Sequence, residues 1–102
     1  VREMLPQAEL LVYDAGGGPL GFLGLDGAYV AGLFVGREVR SQGIGRALLG
    51  AAKQRREVLE LHVYQENRRA CAFYCREGFA VCGLQRDEQT GAPELLLRWT
   101  RS

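Results

Sequence analysis

Between residues 40 and 46 the chain reads Arg-Ser-Gln-Gly-Ile-Gly-Arg, directly after an apolar run and directly before a pattern of helical period. A helix start leaves its first backbone N–H groups without intrahelical acceptors and carries a partial positive charge, so it forms an anion site when side chains stay out of the way. Gly43 and Gly45 remove the side chains that would keep a pyrophosphate away from the amides of Gln42, Gly43, Ile44, Gly45 and Arg46, and Arg40 and Arg46 add charge from the flanks. A strand-to-helix connection whose glycines only satisfy backbone geometry would have the same composition. Two nucleotide-binding loops are excluded on named residues. A P-loop needs Lys-Ser/Thr after its last glycine, which the chain lacks, and a dinucleotide fingerprint needs a third glycine where Leu48 stands.

A second block, residues 67–79, reads Asn-Arg-Arg-Ala-Cys-Ala-Phe-Tyr-Cys-Arg-Glu-Gly-Phe. Asn67 suits a helix N-cap, and Gly78 sits where a C-terminal cap belongs. Arg68 and Arg69 place positive charge in the first turn, against the helix dipole, which fits an anionic partner as well as a solvated surface. Cys71 and Cys75 are four apart and share a helical face. Zinc sites use tighter knuckles and a second ligand pair, which the lone His62 does not complete, so no metal is expected and the thiols read as small buried side chains.

The elements that must position these residues follow from periodicity. Residues 8–14 (AELLVYD), 20–27 (LGFLGLDG) and 28–35 (AYVAGLFV) read as three strands, joined by the turn 15–19 (AGGGP) and by Asp26-Gly27, a hairpin dipeptide. Ile44, Ala47, Leu48, Ala51 and Ala52 define the apolar face of a helix running to about Arg56, with Arg46, Lys53 and Arg56 pointing elsewhere. Residues 58–64 (VLELHVY) alternate as a strand does, which sets Glu60 and His62 on one face. A second helix from Asn67 to about Arg76 and a closing hairpin, 79–87 and 93–100, complete the order βββ-α-β-α-ββ. This is an α/β (α+β) fold with a mixed, mostly antiparallel sheet, read as one domain over residues 1–102.

Composition bounds the function. Net charge is +1, with both signs interspersed, which argues against a broad duplex nucleic-acid footprint; no run is long and apolar enough to cross a membrane and no leader is visible. Three cysteines make an odd and sparse set, unlike a secreted disulfide framework, and a cytoplasmic location is expected.

With Arg40-x-x-Gly43-x-Gly45 opening a helix after a strand, the chain resembles the GNAT superfamily of acetyl-coenzyme A dependent N-acetyltransferases. The second block agrees with that family's later motif at Asn67, Ala70, Phe73, Tyr74, Gly78 and Phe79. The resemblance begins at what would be the family's second strand, so the N-terminal part of the domain is expected to be missing. It implies the acyl-CoA N-acyltransferase fold and acetyl-CoA as cofactor, with coenzyme A as product. It also implies that the backbone of Leu33, Phe34 and Val35 bonds the pantetheine amides as an added strand would. Asn67, Ala70 and Phe73 would line the cofactor, and Tyr74 would protonate the departing thiolate.

The implied reaction is acetyl transfer to a primary amine of a small molecule, a protein lysine or an N-terminus by direct attack, with both substrates bound. No base stands out: Glu60 and His62 are candidates for carrying off the amine proton, and Tyr29 for facing the acceptor channel, each equally at home in a structural role. The rival reading is a non-catalytic acyl-CoA binding or sensing module. A homodimer is one assembly left open, since the closing hairpin could lie at a dimer seam or face water.

Overall fold

The computed structural model describes residues 8–14, 16–36 and 43–101, which divide into two compact units with the boundary after Glu57. Within them the element order is βββ-α-β-α-ββ, as the periodicity requires.

In the first unit, β1 (Ala8–Asp14), β2 (Pro19–Asp26) and β3 (Tyr29–Val35) form an antiparallel meander, and α1 (Ile44–Arg55) packs on one face of it. Pro19 opens β2 instead of ending the preceding turn, a place where proline's missing donor costs little. The β2–β3 turn is centred on Gly27 and Ala28, one residue later than Asp26-Gly27, because Asp26 still pairs with Tyr29. Gly27 has φ 62° and no described non-glycine residue has positive φ, so of the two primed hairpin turns only type II′ fits.

The inner face of the meander carries Leu11, Leu23, Leu25 and Val30, all buried, against Ile44, Leu48, Leu49 and Ala52 of α1. Leu49 takes the place expected for Ala47, which is exposed, while Ala51 is half-buried. Both stripes have helical period; the larger side chain wins the core because burying a leucine stabilises by roughly 1.5–3 kcal/mol and an alanine by much less. At the far end of the helix the Arg56 guanidinium donates to the Gly27 carbonyl (2.7 Å) and pairs with Glu9 (2.9 Å), tying the helix exit to the hairpin.

In the second unit β6 (Pro93–Thr100) lies between β4 (Val58–Tyr64) and β5 (Ala80–Arg86), all antiparallel, with α2 (Arg68–Arg76) between β4 and β5 in sequence. Leu59, Leu61 and Val63 of β4 and Leu97 of β6 are buried on one face, while Glu60 and His62 fall on the other. The three thiols are free, but Cys71 and Cys75 are not buried as expected: Cys71 is half-buried and Cys75 exposed, as is Cys82. The cause is that α2 has no fully buried residue, and Cys82 is the extra residue of a bulge on the outer strand, where Val81 pairs with Leu97 and Gly83 with Leu96.

The β5–β6 turn is organised by Asp87, whose Oδ1 accepts from the amides of Gln89 and Thr90 and whose Oδ2 accepts from the Tyr64 hydroxyl at 2.5 Å. The Tyr64 hydroxyl, followed by those two amides, holds the Asp87 carboxyl below the ordinary carboxylate range. A depressed folded-state value stabilises the fold above the unfolded value, near 3.9, and that contribution is lost as pH falls through the lower folded value. Thermal melts between pH 5 and pH 2 are therefore expected to show an acid loss of stability that is visibly smaller in Asp87→Asn; equal pH slopes for the two proteins would contradict the assignment.

Candidate functional site

In the first unit the candidate residues lie where β3 hands over to α1. Arg40 and Gln42 lie outside the described residues; Gly43, Ile44, Gly45 and Arg46 lie within them. Gly43 is the N-cap of α1 with φ 76° and ψ 14°, a left-handed conformation that a side chain disfavours. A Cβ at Gly43 would meet nothing within 4 Å, so the residue is fixed as glycine by its backbone angle and not by crowding. Its carbonyl accepts the first helical bond, from Ala47 (3.0 Å), and the amides of Ile44, Gly45 and Arg46 precede that bond. Ile44 is buried and pins the turn to the core, whereas Arg46 is exposed.

The strand leading to this turn has a defined hydrogen-bond parity. The Gly36 amide donates to the Leu20 carbonyl (2.9 Å), which makes Leu20 and Gly36 a bonded pair, and two residues on Phe22 and Phe34 are the next such pair. Phe34 therefore turns its N–H and C=O toward β2, while those of Leu33 and Val35 turn away from it. The side chain of Phe34 lies on the outer face of the meander, 58% exposed, stacked on Phe22 with ring centroids 5.4 Å apart.

A bulge between Val30 and Gly32 brings Tyr29 onto that same outer face, since Tyr29 pairs with Asp26, Val30 with Leu25 and Gly32 with Gly24. Simple alternation would have grouped Tyr29 with Leu33 and Val35. Nothing in the residue types announces the extra residue.

In the second unit the candidate residues are carried by α2. The Asn67 side chain caps the helix by accepting from the Ala70 amide (3.2 Å), as expected. The helix ends in a Schellman motif: Phe79 N–H bonds the Tyr74 carbonyl (3.0 Å), Gly78 N–H bonds that of Cys75 (3.1 Å), and Gly78 takes φ 97°. The hydrophobic contact that accompanies this motif is Tyr74 against Phe79, ring centroids 5.6 Å apart and interplanar angle 70°. Phe73 makes a second edge-type contact with Tyr74, at 5.1 Å and 66°.

Phe79, buried to 4% exposure, thus fixes the tyrosine ring without being a site residue itself. Its signal was present in the sequence as the Gly-Phe pair four and five residues after Tyr74. Burial pushes the Tyr74 phenol above its ordinary pKa, and no described residue hydrogen-bonds its hydroxyl. Tyr64 contrasts with it, its hydroxyl being committed to Asp87.

Glu60 and His62 share the polar face of β4. The Glu60 Oε2 is taken by Arg98, whose Nε and Nη2 donate at 2.8 and 2.5 Å across the β4–β6 ladder. Among the described residues no three His, Cys, Asp or Glu side chains gather as metal ligands, and no helix is long and apolar enough to cross a membrane.

The profile of the acetyltransferase (GNAT) domain matches residues 1–93, and the chain belongs to that family of acyltransferases. Among its relatives, the peptidyl-lysine N-acetyltransferase YiaC of Escherichia coli K12 is 33% identical over 96 residues, 93% of this chain and 66% of that protein. The peptidyl-lysine N-acetyltransferase YjaB of the same organism is 36% identical over 98 residues, 95% of this chain and 67% of that protein. The chain therefore spans about two thirds of the length of these relatives.

The solution structure of apo YjaB superimposes with a TM-score of 0.80 at 31% identity, over 95% of this chain and 68% of that one. A GNAT acetyltransferase of Elizabethkingia anophelis with acetyl-CoA bound does so with a TM-score of 0.81 at 16% identity, over 92% of this chain and 76% of that one, a likeness of fold alone. The expected acyl-CoA N-acyltransferase fold is thereby established.

The buried phenol can be observed directly. In an alkaline titration followed by phenolate absorbance, Tyr74→Phe is expected to lose a component that ionises above the ordinary tyrosine value of about 10; loss of a component at or below that value would contradict the burial.

Proposed function

We propose that the chain is an N-acetyltransferase domain that moves the acetyl group of acetyl-coenzyme A to a primary amine, with both substrates held at once. The observation that carries most weight is the handover at Gly43: a left-handed glycine opens α1 with space beside it, the backbone arrangement a diphosphate requires. Arg40, Gln42, Gly43, Ile44, Gly45 and Arg46 would hold the pyrophosphate. Leu33 and Val35, whose backbone groups turn away from β2, would bond the pantetheine arm. Phe34, committed to the β2 ladder, would contribute its ring instead. Asn67, Ala70 and Phe73 would line the cofactor from α2.

When bound, the thioester supplies an activated acyl group. Tyr74 is assigned as the acid that protonates the leaving sulfur. Its raised pKa keeps the phenol protonated at neutral pH, and donation to a thiolate, whose conjugate thiol ordinarily has a pKa near 8.5, is modestly uphill yet accessible within a hydrogen bond. The amine must shed a proton as it attacks, and the polar face of β4 with Glu60 and His62 is assigned to relay it through water. Tyr29, on the outer face with Phe34, is assigned to the acceptor side.

The relatives' names favour a protein lysine as acceptor. A cytoplasmic location, in keeping with the free thiols, belongs to the same proposal.

The test pairs calorimetry with acetyl-coenzyme A and an assay of coenzyme A release across lysine peptides and small amines. Binding with release is expected, and Tyr74→Phe should lower kcat by about 10²–10⁴-fold while leaving cofactor affinity unchanged. Binding without release on any amine would favour an acyl-CoA sensing module, unchanged turnover in Tyr74→Phe would remove the acid, and no binding would overturn the reading.

A further inference from the structure

Gly21 stands where the inner stripe of β2 calls for an apolar side chain: Gly21, Leu23 and Leu25 are all buried on the face that α1 covers. Its φ is not positive, so backbone conformation does not demand glycine there. Space does. A Cβ at Gly21 would lie 2.8 Å from the carbonyl oxygen of Phe34, 3.2 Å from Cγ2 of Ile44 and 3.4 Å from Cδ1 of Leu48. These neighbours come from two segments with one thing in common. Phe34 is near the end of β3, and Ile44 is the first residue of α1.

We infer that Gly21 is a positioning residue for coenzyme A, its missing side chain letting the last residues of β3 and the first turn of α1 close onto the same point of β2. The inference rests on the cofactor assignment made above and deepens it. Gly21 pairs directly with Val35, whose backbone groups turn away from β2, so any push on the Phe34 carbonyl is passed to the neighbouring peptide. The Phe34 oxygen is main chain and cannot step aside as a flexible side chain would. The Ile44 methyl group has to give by only a few tenths of an ångström. The strand end is therefore the part displaced first, and the pyrophosphate turn second.

Gly24 provides the control. It lies on the same strand, three residues on, and a Cβ there would meet nothing within 4 Å.

Calorimetric titration of coenzyme A and of adenosine 3′,5′-diphosphate into the full-length protein, Gly21→Ala and Gly24→Ala tests this, with thermal melts fixing a temperature at which each is folded. Gly21→Ala is expected to weaken coenzyme A by about tenfold, the scale of one or two lost backbone hydrogen bonds, and the diphosphate fragment by less. In turnover assays KM for acetyl-coenzyme A should rise more than kcat falls, which a merely structural role would not produce. Gly24→Ala should match the unmodified protein.

If Gly21→Ala is unfolded in buffer, the titration is repeated in trimethylamine N-oxide, which favours the compact state. A chain that stays unfolded there makes the glycine a requirement of folding and overturns the proposal, as does a folded Gly21→Ala with unchanged affinity for coenzyme A. Failure of the unmodified protein to bind coenzyme A would instead sink the cofactor assignment itself.

Discussion

A helix whose first amides are to serve a ligand must begin without a side chain capping them and without turning back on its own strand. At the start of α1 that requirement falls on Gly43, which holds a left-handed conformation and offers a carbonyl, not a side chain, to the helix. A residue with a Cβ would pay a steric penalty at that angle even though the surrounding space is open. The turn can keep this geometry because the residue after it, Ile44, is anchored in the core beside Leu48, Leu49 and Ala52. Anchoring at the other end, through Arg56 to Gly27 and Glu9, fixes how far the helix can slide along the meander.

The second unit solves a different problem by related means. A tyrosine that is to donate a proton must be dry enough to stay protonated and held firmly enough to keep its aim. Tyr74 meets both conditions through the end of its own helix. The Schellman bonds bring Phe79 back against it, and Phe73 adds a second ring contact. No described residue hydrogen-bonds its hydroxyl, whereas that of Tyr64, ten residues earlier, is spent on organising the β5–β6 turn. Two tyrosines in one unit thus differ in what their oxygens touch.

Family membership and local chemistry support each other here in specific places. The two glycines in a strand-to-helix turn would have suited a plain connection equally well. The left-handed angle at Gly43 and the open space beside it are what the proposed cofactor site rests on. By contrast Glu60, read from alternation as sharing a strand face with His62, has one oxygen occupied by Arg98 across the ladder.

Local rules were sufficient for the element order, for the Asn67 cap, for Gly78 at the helix exit and for the two motifs, because each depends on hydrogen bonds or dihedral angles within a few residues of itself. Facing was not decided locally. Leu49 instead of Ala47 enters the core, the bulge after Val30 moves Tyr29 to the outer face, and the ladder parity commits the Phe34 backbone to β2. Cys75, read with Cys71 as a small buried thiol, is exposed on a helix that has no buried residue. Which side of a strand or helix is inside depends on the partner that covers it, and that partner is brought up from elsewhere in the chain. Periodicity names two candidate faces at best; only the packed neighbours choose between them.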